Sequence, residues 1–315
     1  MRFGAAIALS AFGLLAAGTA SQAQIYPDRP VTIVVPAPPG GGMDAVLRTI
    51  GDDLAAELGQ RIVLENKSGA NGEIGARYVA SAQPNGYTLL FINPFVDSPT
   101  GFDFATDLLP VEPVTSGPIG IGVHPSVKAT SLAELIALAK AQPGKLSFGS
   151  PGTGSPQHMV GKMFGQMAGI EWLHVPYKGS GDAVASVIGG HIPAGVLGYG
   201  AYLPFLKTGE IRLLGIAEER RLAIAPDVPT ISEVLPGFAQ STWFCLFAPS
   251  GTPTAIVQRL TAAVQKAKAN GAVQEKLARI GYAPFNLERG DLKSFIVSQA
   301  ELRAKLNDDS GMKRK

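Results

Sequence analysis

The sequence predicts an α/β fold in two lobes, with a parallel-rich sheet in each and a hinge between them. Three observations carry that expectation. From residue 31 to residue 92, short β-branched runs alternate with amphipathic helical patterns, the βαβαβ grammar of a parallel sheet covered by helices. One device, a strand running through a glycine-rich loop into a helix start, occurs at residues 31–44 and again at residues 145–158. The about 290 residues that follow an N-terminal leader exceed what one hydrophobic core usually serves.

The leader comes first. Met1-Arg2 is a basic start, residues 5–17 are apolar, and Ser21-Gln22-Ala23 places small residues before a cut. This predicts a secretory signal peptide over residues 1–23 and export to a periplasm. The apolar run is too short to span a bilayer comfortably and no later segment is long enough. The single cysteine, Cys245, allows no intrachain disulfide and no lipid anchor after the signal. Net charge is +2, with a basic 313–315 tail and no basic stripe interleaved with aromatics, so nucleic acid is not an expected partner. The mature chain is expected to be soluble and monomeric.

Residues 31–35 read as a buried strand, followed by Pro36-Ala37-Pro38-Pro39-Gly40-Gly41-Gly42 and then Asp44. Val46, Leu47, Ile50, Leu54 and Leu58 repeat on one helical face. Residues 61–65 form the second strand, and 66–72 a second glycine loop into a helix over 73–82. After the Pro84-Asn85-Gly86 turn, residues 87–92 make a third strand, ended by Asn93-Pro94. Residues 95–118 read as a loop and a crossover.

Residues 119–123 begin the second lobe. Ser131-Leu132-Ala133-Glu134 is a capping box for a helix ended by Pro143-Gly144. The strand 145–148 leads into Gly149-Ser150-Pro151-Gly152-Thr153-Gly154-Ser155, where Ser155 is placed to cap and Pro156 to open a helix. Val160, Met163, Phe164 and Met167 follow at helical spacing. Beyond lie a strand (171–176), a loop 177–181 leading through Asp182 to a helix (183–188), a short strand (195–197), a short helix (199–206), a strand (211–216) and a helical turn (231–235). Residues 242–248 form a strand crossing back to the first lobe, and helices over 254–269, 272–280 and 291–306 close the chain. The division is therefore 24–118 plus 243–315 for one lobe and 119–242 for the other.

A glycine loop that ends at a helix start is a small anion trap: the backbone can approach closely, and free N–H groups and the positive dipole end face the ligand. Two such traps, one per lobe, suit a clamshell closing on one anion. Neither glycine run has the P-loop spacing or the full dinucleotide pattern, and no serine sits in a G-x-S-x-G elbow. His124, His174 and His191 are too dispersed for a metal site, and neither a metal nor a cofactor is expected.

Several motifs fall in order along the whole mature chain: Tyr26-Pro27-x-Arg29-Pro30, Val35-Pro36-x-Pro38-Pro39-Gly40-Gly41-x-x-Asp44, Val63-x-Glu65-Asn66, Gly69-Ala70-x-Gly72-x-Ile74-Gly75-Ala76, Pro84-x-Gly86-Tyr87-Thr88, Ser155-x-x-His158, Val175-Pro176-Tyr177-Lys178-Gly179, Pro226-x-Val228-Pro229-Thr230 and Ala248-Pro249-x-Gly251-Thr252-Pro253. Together they resemble the Bug (tripartite tricarboxylate transporter) substrate-binding proteins. The resemblance implies a type II periplasmic binding protein, a Venus flytrap, that captures a small organic carboxylate and delivers it to inner-membrane permease subunits. It also implies that the loops matching Pro38–Asp44 and Ser150–His158 grip one carboxylate, largely through backbone N–H groups and ordered water, with Gly40, Gly41, Gly42, Gly152, Thr153, Gly154 and Ser155 among the binding positions. The chain departs from the family pattern at Ala37, commonly aromatic, at Gly181-Asp182, commonly Ala-Pro, and at Cys245, commonly glycine.

Individual residues keep two roles open. Asp44 either faces the ligand or complements the helix dipole. His158, in a first helical turn, is expected neutral. Asn93 is a site amide or a strand-ending turn residue, and Tyr199 and Trp243 are an apolar wall or ordinary core. Lys178 is expected in solvent. Asp182 either caps its helix or repels a further ligand carboxylate, favouring monocarboxylates or amino-acid-like ligands over tricarboxylates such as citrate. The rival functions are an exported hydrolase or transferase, which needs an activated nucleophile, and a periplasmic sensor input.

Overall fold

The computed structural model describes residues 26–94, 102–103, 106–222, 224–238, 240, 242–285, 287 and 292–298. The signal-peptide segment, the connection after Pro94 and most of the last predicted helix lie outside the described residues.

Two mixed sheets organise the chain. The first has six strands in the order β11-β4-β10-β3-β1-β2, where β1 is Val31–Val35, β2 Ile62–Asn66, β3 Thr88–Ile92, β4 Leu108–Gly117, β10 Thr242–Pro249 and β11 Ala283–Pro284. β2, β1 and β3 are parallel, as the βαβαβ pattern requires, and β10 runs antiparallel between β3 and β4. The second sheet has five strands in the order β7-β6-β8-β5-β9, with β5 Ile119–Val123, β6 Ser147–Ser150, β7 Leu173–Pro176, β8 Ala194–Gly198 and β9 Arg212–Ile216. There β7, β6 and β8 are parallel and β5 is antiparallel to both β8 and β9.

Helices cover both faces of each sheet. On the first, α1 (Gly42–Leu58), α7 (Thr254–Ala269) and α8 (Gly271–Arg279) pack against one face, and α2 (Glu73–Ala80) against the other. The apolar stripe read in α1 is the buried stripe: Val46, Leu47, Ile50, Leu54 and Leu58 all enter the core. On the second sheet, α3 (Leu132–Ala141) and α4 (Pro156–Ala168) form one core, and α5 (Ser180–Ile188) with α6 (Tyr199–Leu206) the other. In α4, Val160, Met163 and Phe164 are buried, but Met167 is exposed. Trp243 is core, not wall, stacking on Phe285 with 5.6 Å between ring centroids.

The main departure from the sequence reading is β4, a ten-residue strand where a loop was expected. Pro110 and Pro113 disguise it, since proline is depleted from central strands. They are tolerated because the outer neighbour, β11, pairs only with Ser116 and Thr115, and because the β4–β10 register shifts beside both prolines. The carbonyl of Pro113 accepts from Lys268 Nζ at 2.8 Å, and the same ammonium pairs with Glu112 at 2.6 Å and bonds Phe285 O at 2.9 Å, stapling α7 to this strand.

The two chain passages between the sheets lie side by side. β4 ends at Gly117 and β5 begins at Ile119, while β10 begins at Thr242 opposite Gly117 and the Thr242 hydroxyl donates to the Gly117 carbonyl. α6 is tied to the same place, since Tyr199 N donates to Pro118 O at 2.7 Å.

Candidate functional site

Each sheet presents one strand–glycine loop–helix unit. In the first, Gly40 takes a left-handed φ of 81°, and Gly41 stands at the N-cap of α1 with no side chain to fill that role. The helical ladder starts with Ala45 N donating to Gly41 O, so the amides of Gly42, Met43 and Asp44 precede it. Pro38, Gly40 and Gly42 are exposed.

Asp44 is only 2% exposed, and its carboxylate is fully engaged. It accepts from Gly40 N at 3.0 Å, from Arg48 Nε at 2.8 Å and Nη2 at 3.1 Å, and from Asn66 Nδ2 at 3.0 Å. Asn66 also donates to Ala37 O. The Arg48 hydrogen bonds, helped by the Gly40 amide and Asn66, hold the acid below the ordinary carboxylate range against the cost of its burial. Asp44 therefore braces the loop between β1, β2 and α1.

The second loop is braced by neutral groups. Ser155 caps α4 by accepting from His158 N at 3.2 Å, and Pro156 opens the helix, both as the sequence reading expects. His158 is buried, and its Nδ1 accepts from Gly154 N at 3.1 Å, which requires the unprotonated nitrogen there. Its ring stacks on His174 with centroids 3.9 Å apart. Burial first, then His174 and Lys162, lower the His158 pKa to about 4. His174 Nε2 lies 2.7 Å from Ser150 Oγ, and that hydroxyl also accepts from Gly152 N at 3.2 Å and donates to Gly152 O at 3.1 Å. Thr153 is exposed at the tip. The His174 brace was not legible in sequence, because nothing in a spacing of 24 residues marks it.

The remaining predicted positions are placed as follows. Asn93 is buried at the end of β3. Tyr199 is buried at the start of α6, beside the two passages, where burial raises its hydroxyl pKa. Asp182 is exposed in the first turn of α5, but it is not the cap; that position belongs to Gly179. Lys178 is exposed. Among the described residues no cluster of metal-ligating side chains occurs, and no helix is long and apolar enough to cross a membrane.

Two α/β lobes joined by adjacent passages, each offering a helix N-terminus on a glycine loop, define a two-lobed solute receptor. Comparison with known proteins gives the family. The chain belongs to the tripartite tricarboxylate transporter family receptors, whose model matches residues 46–311. It is 33% identical to Protein BugT of Bordetella pertussis, over 93% of each chain. Among solved structures it is similar to an R. palustris protein with adipate (33% identity, TM-score 0.83, 91% of this chain and 98% of that one) and to MatC from Rhodopseudomonas palustris with bound malate (29%, TM-score 0.78, 89% and 99%). The periplasmic binding protein BugD is also similar, at 29% identity and TM-score 0.79, covering 91% of this chain and 99% of that one.

Proposed function

We propose that this protein is a periplasmic receptor that captures a small organic carboxylate between its lobes and hands it to inner-membrane permease subunits. The observation that carries the reading is the pair of helix N-termini on glycine loops, one per sheet, with the amides of Gly42, Met43 and Asp44 ahead of the ladder in α1 and that of Gln157 in α4. We take residues 24–118 with 243–315 as one lobe, 119–242 as the other, and the Gly117–Ile119 and Thr242 passages as the hinge. Gly42 and Thr153 offer backbone N–H groups to the ligand carboxylate, while Pro38, Gly40, Gly41, Gly152 and Gly154 shape the close approach, the amides of those four glycines being engaged within the loops. Asp44, Ser150, Ser155 and His158 hold those loops in shape, while Asn93, Tyr199 and Asp182 border the rest of the ligand. A ligand touching both lobes stabilises the closed form by its extra affinity for it.

The Ser150–His174 contact is the arrangement closest to a nucleophile and base. Ser150 is completely buried and its hydroxyl is bonded back to Gly152, which supports binding rather than hydrolysis. The resemblance to receptors bound to adipate and malate supports the ligand class.

A thermal-shift screen of adipate, malate, succinate, citrate, glutamate and benzoate tests the reading, since a ligand at a hundred times its Kd adds about 2.7 kcal/mol of stability. At least one acid is expected to raise Tm. No shift with any of them, or turnover of the corresponding esters, overturns the proposal. A tightly bound citrate unaffected by Asp182→Asn removes Asp182 from the specificity account.

A further inference from the structure

Tyr282 follows α8 and lies outside the sequence motifs named above. In the fold its side chain reaches the first glycine loop. A Cβ added to Gly42 would lie 2.1 Å from the Tyr282 hydroxyl, so that oxygen rests directly against the first helical residue of α1. The ring is held on its other sides by small residues. A Cβ on Gly117 would come within 2.7 Å of the Tyr282 Cε1, and one on Gly200 within 3.7 Å of its Cε2. Phe244 packs on it with 5.7 Å between centroids. The turn that carries it also meets the opposite lobe backbone to backbone, because a Cβ on Gly200 would lie 2.3 Å from Ile280 O. The phenol is thus held beside the interlobe passages and against the residue that opens α1.

We propose that Tyr282 is a ligand-contacting residue whose hydroxyl donates a hydrogen bond to the carboxylate held by the Pro38–Asp44 loop. The inference rests on the carboxylate-receptor reading and adds a side-chain donor to a grip otherwise made by backbone. Three features support it. The hydroxyl adjoins Gly42, whose amide precedes the helical ladder. Among the described residues no hydrogen-bond partner occupies that hydroxyl. Burial pushes its pKa up to about 12, so at neutral pH it keeps the proton it would donate. A phenol offered to an anion is a charge-assisted donor, stronger than a neutral pair.

The experiment is calorimetric titration of the wild type, Tyr282→Phe and Gly42→Ala with adipate, malate and succinate, together with tyrosine ultraviolet difference spectra on saturation. Tyr282→Phe keeps the ring and removes only the donor. It is expected to weaken each acid the wild type binds by roughly tenfold, to preserve their ranking, and to diminish the ligand-induced tyrosine signal. Gly42→Ala, whose own backbone is assigned to the ligand, serves as the partner in a double variant, in which its loss of affinity should not add to that of Tyr282→Phe. If the phenylalanine variant does not fold, the wild-type tyrosine difference spectrum on saturation decides, and its absence overturns the role of Tyr282. Affinities within twofold of wild type in the folded variants overturn the role of Tyr282 while leaving the receptor reading intact. A wild type that binds none of the acids overturns that reading and this inference with it.

Discussion

The two glycine loops do the same job with opposite chemistry. The loop at residues 38–44 is braced by a buried carboxylate, Asp44, neutralised by Arg48 and satisfied by Gly40 and Asn66. The loop at residues 150–158 is braced by hydroxyls and two stacked imidazoles, with His158 accepting from the Gly154 amide and His174 sharing a hydrogen bond with Ser150. Each brace occupies loop amides, that of Gly40 in the first loop and those of Gly152 and Gly154 in the second. An anionic brace near an anionic ligand needs its own counterion, which Arg48 supplies. A neutral brace needs none, but it must stay unprotonated. The two loops should therefore fail under different conditions.

The comparison breaks most severely at Asp44. Asp44→Ala leaves the Gly40 amide without its acceptor, Asn66 with Ala37 O alone and Arg48 without its partner, and we expect a loss of about 2–3 kcal/mol in urea denaturation with carboxylate binding abolished. His158→Phe keeps the stack on His174 but removes the Nδ1 acceptor, for an expected loss of about 1–2 kcal/mol. The same variant sharpens the comparison through pH. The folded His158 titrates near 4, below the unfolded value of about 6.5. Between those values the unfolded chain binds the extra proton, so wild-type stability should fall as pH drops from about 6.5 to about 4. His158→Phe should reduce that slope, to which His174, also lowered by burial, adds. Asp44, held below the ordinary carboxylate range, should contribute only toward the acid end of the window, where the unfolded acid begins to protonate. Denaturation midpoints at half-unit pH intervals read both outcomes.

Smaller effects test the backbone. Gly40 at φ 81° and Gly154 at φ 78° adopt conformations that an L side chain resists. Alanine at either should cost about 1 kcal/mol by strain alone, measurable as a shift in denaturation midpoint. Gly41, at φ −72°, has no such requirement, and Gly41→Ala should stay within about 0.5 kcal/mol of wild type. A large destabilisation there would show that the first loop is held by more than its Asp44 brace.

Much of this was legible because it is local. The α1 stripe, the Ser155 cap and the Pro156 start are periodicities or neighbours in sequence, and α6 was read to its residue limits. β4 was hidden by Pro110 and Pro113, which obey a rule about strands that the short β11 neighbour relaxes. Within the candidate site the loops were legible, but the partners of their side chains were not. Asp44 had one plausible role facing outward, and only the placement of Asn66 and Arg48 turned it inward. The His158–His174 stack and Tyr282 depend on segments brought together by the sheets, for which no short-range pattern exists.

The nesting of the second sheet's strands between those of the first predicts an order of assembly. All strands of the second sheet lie between Ile119 and Ile216, so that sheet can be completed from one continuous stretch of nascent chain. The first sheet cannot, because its β10, buried along its full length, arrives only with Thr242–Pro249 and must fill the gap between β3 and β4. Joining β10 to β4 in an unfolded chain means closing a long loop at an entropic cost. Once the inner lobe has folded, its own compactness brings the two ends of that loop together, and Thr242 meets Gly117 across a gap already closed. On that order the first sheet closes only after the second, and a defect confined to residues 119–216 should delay the folding of both.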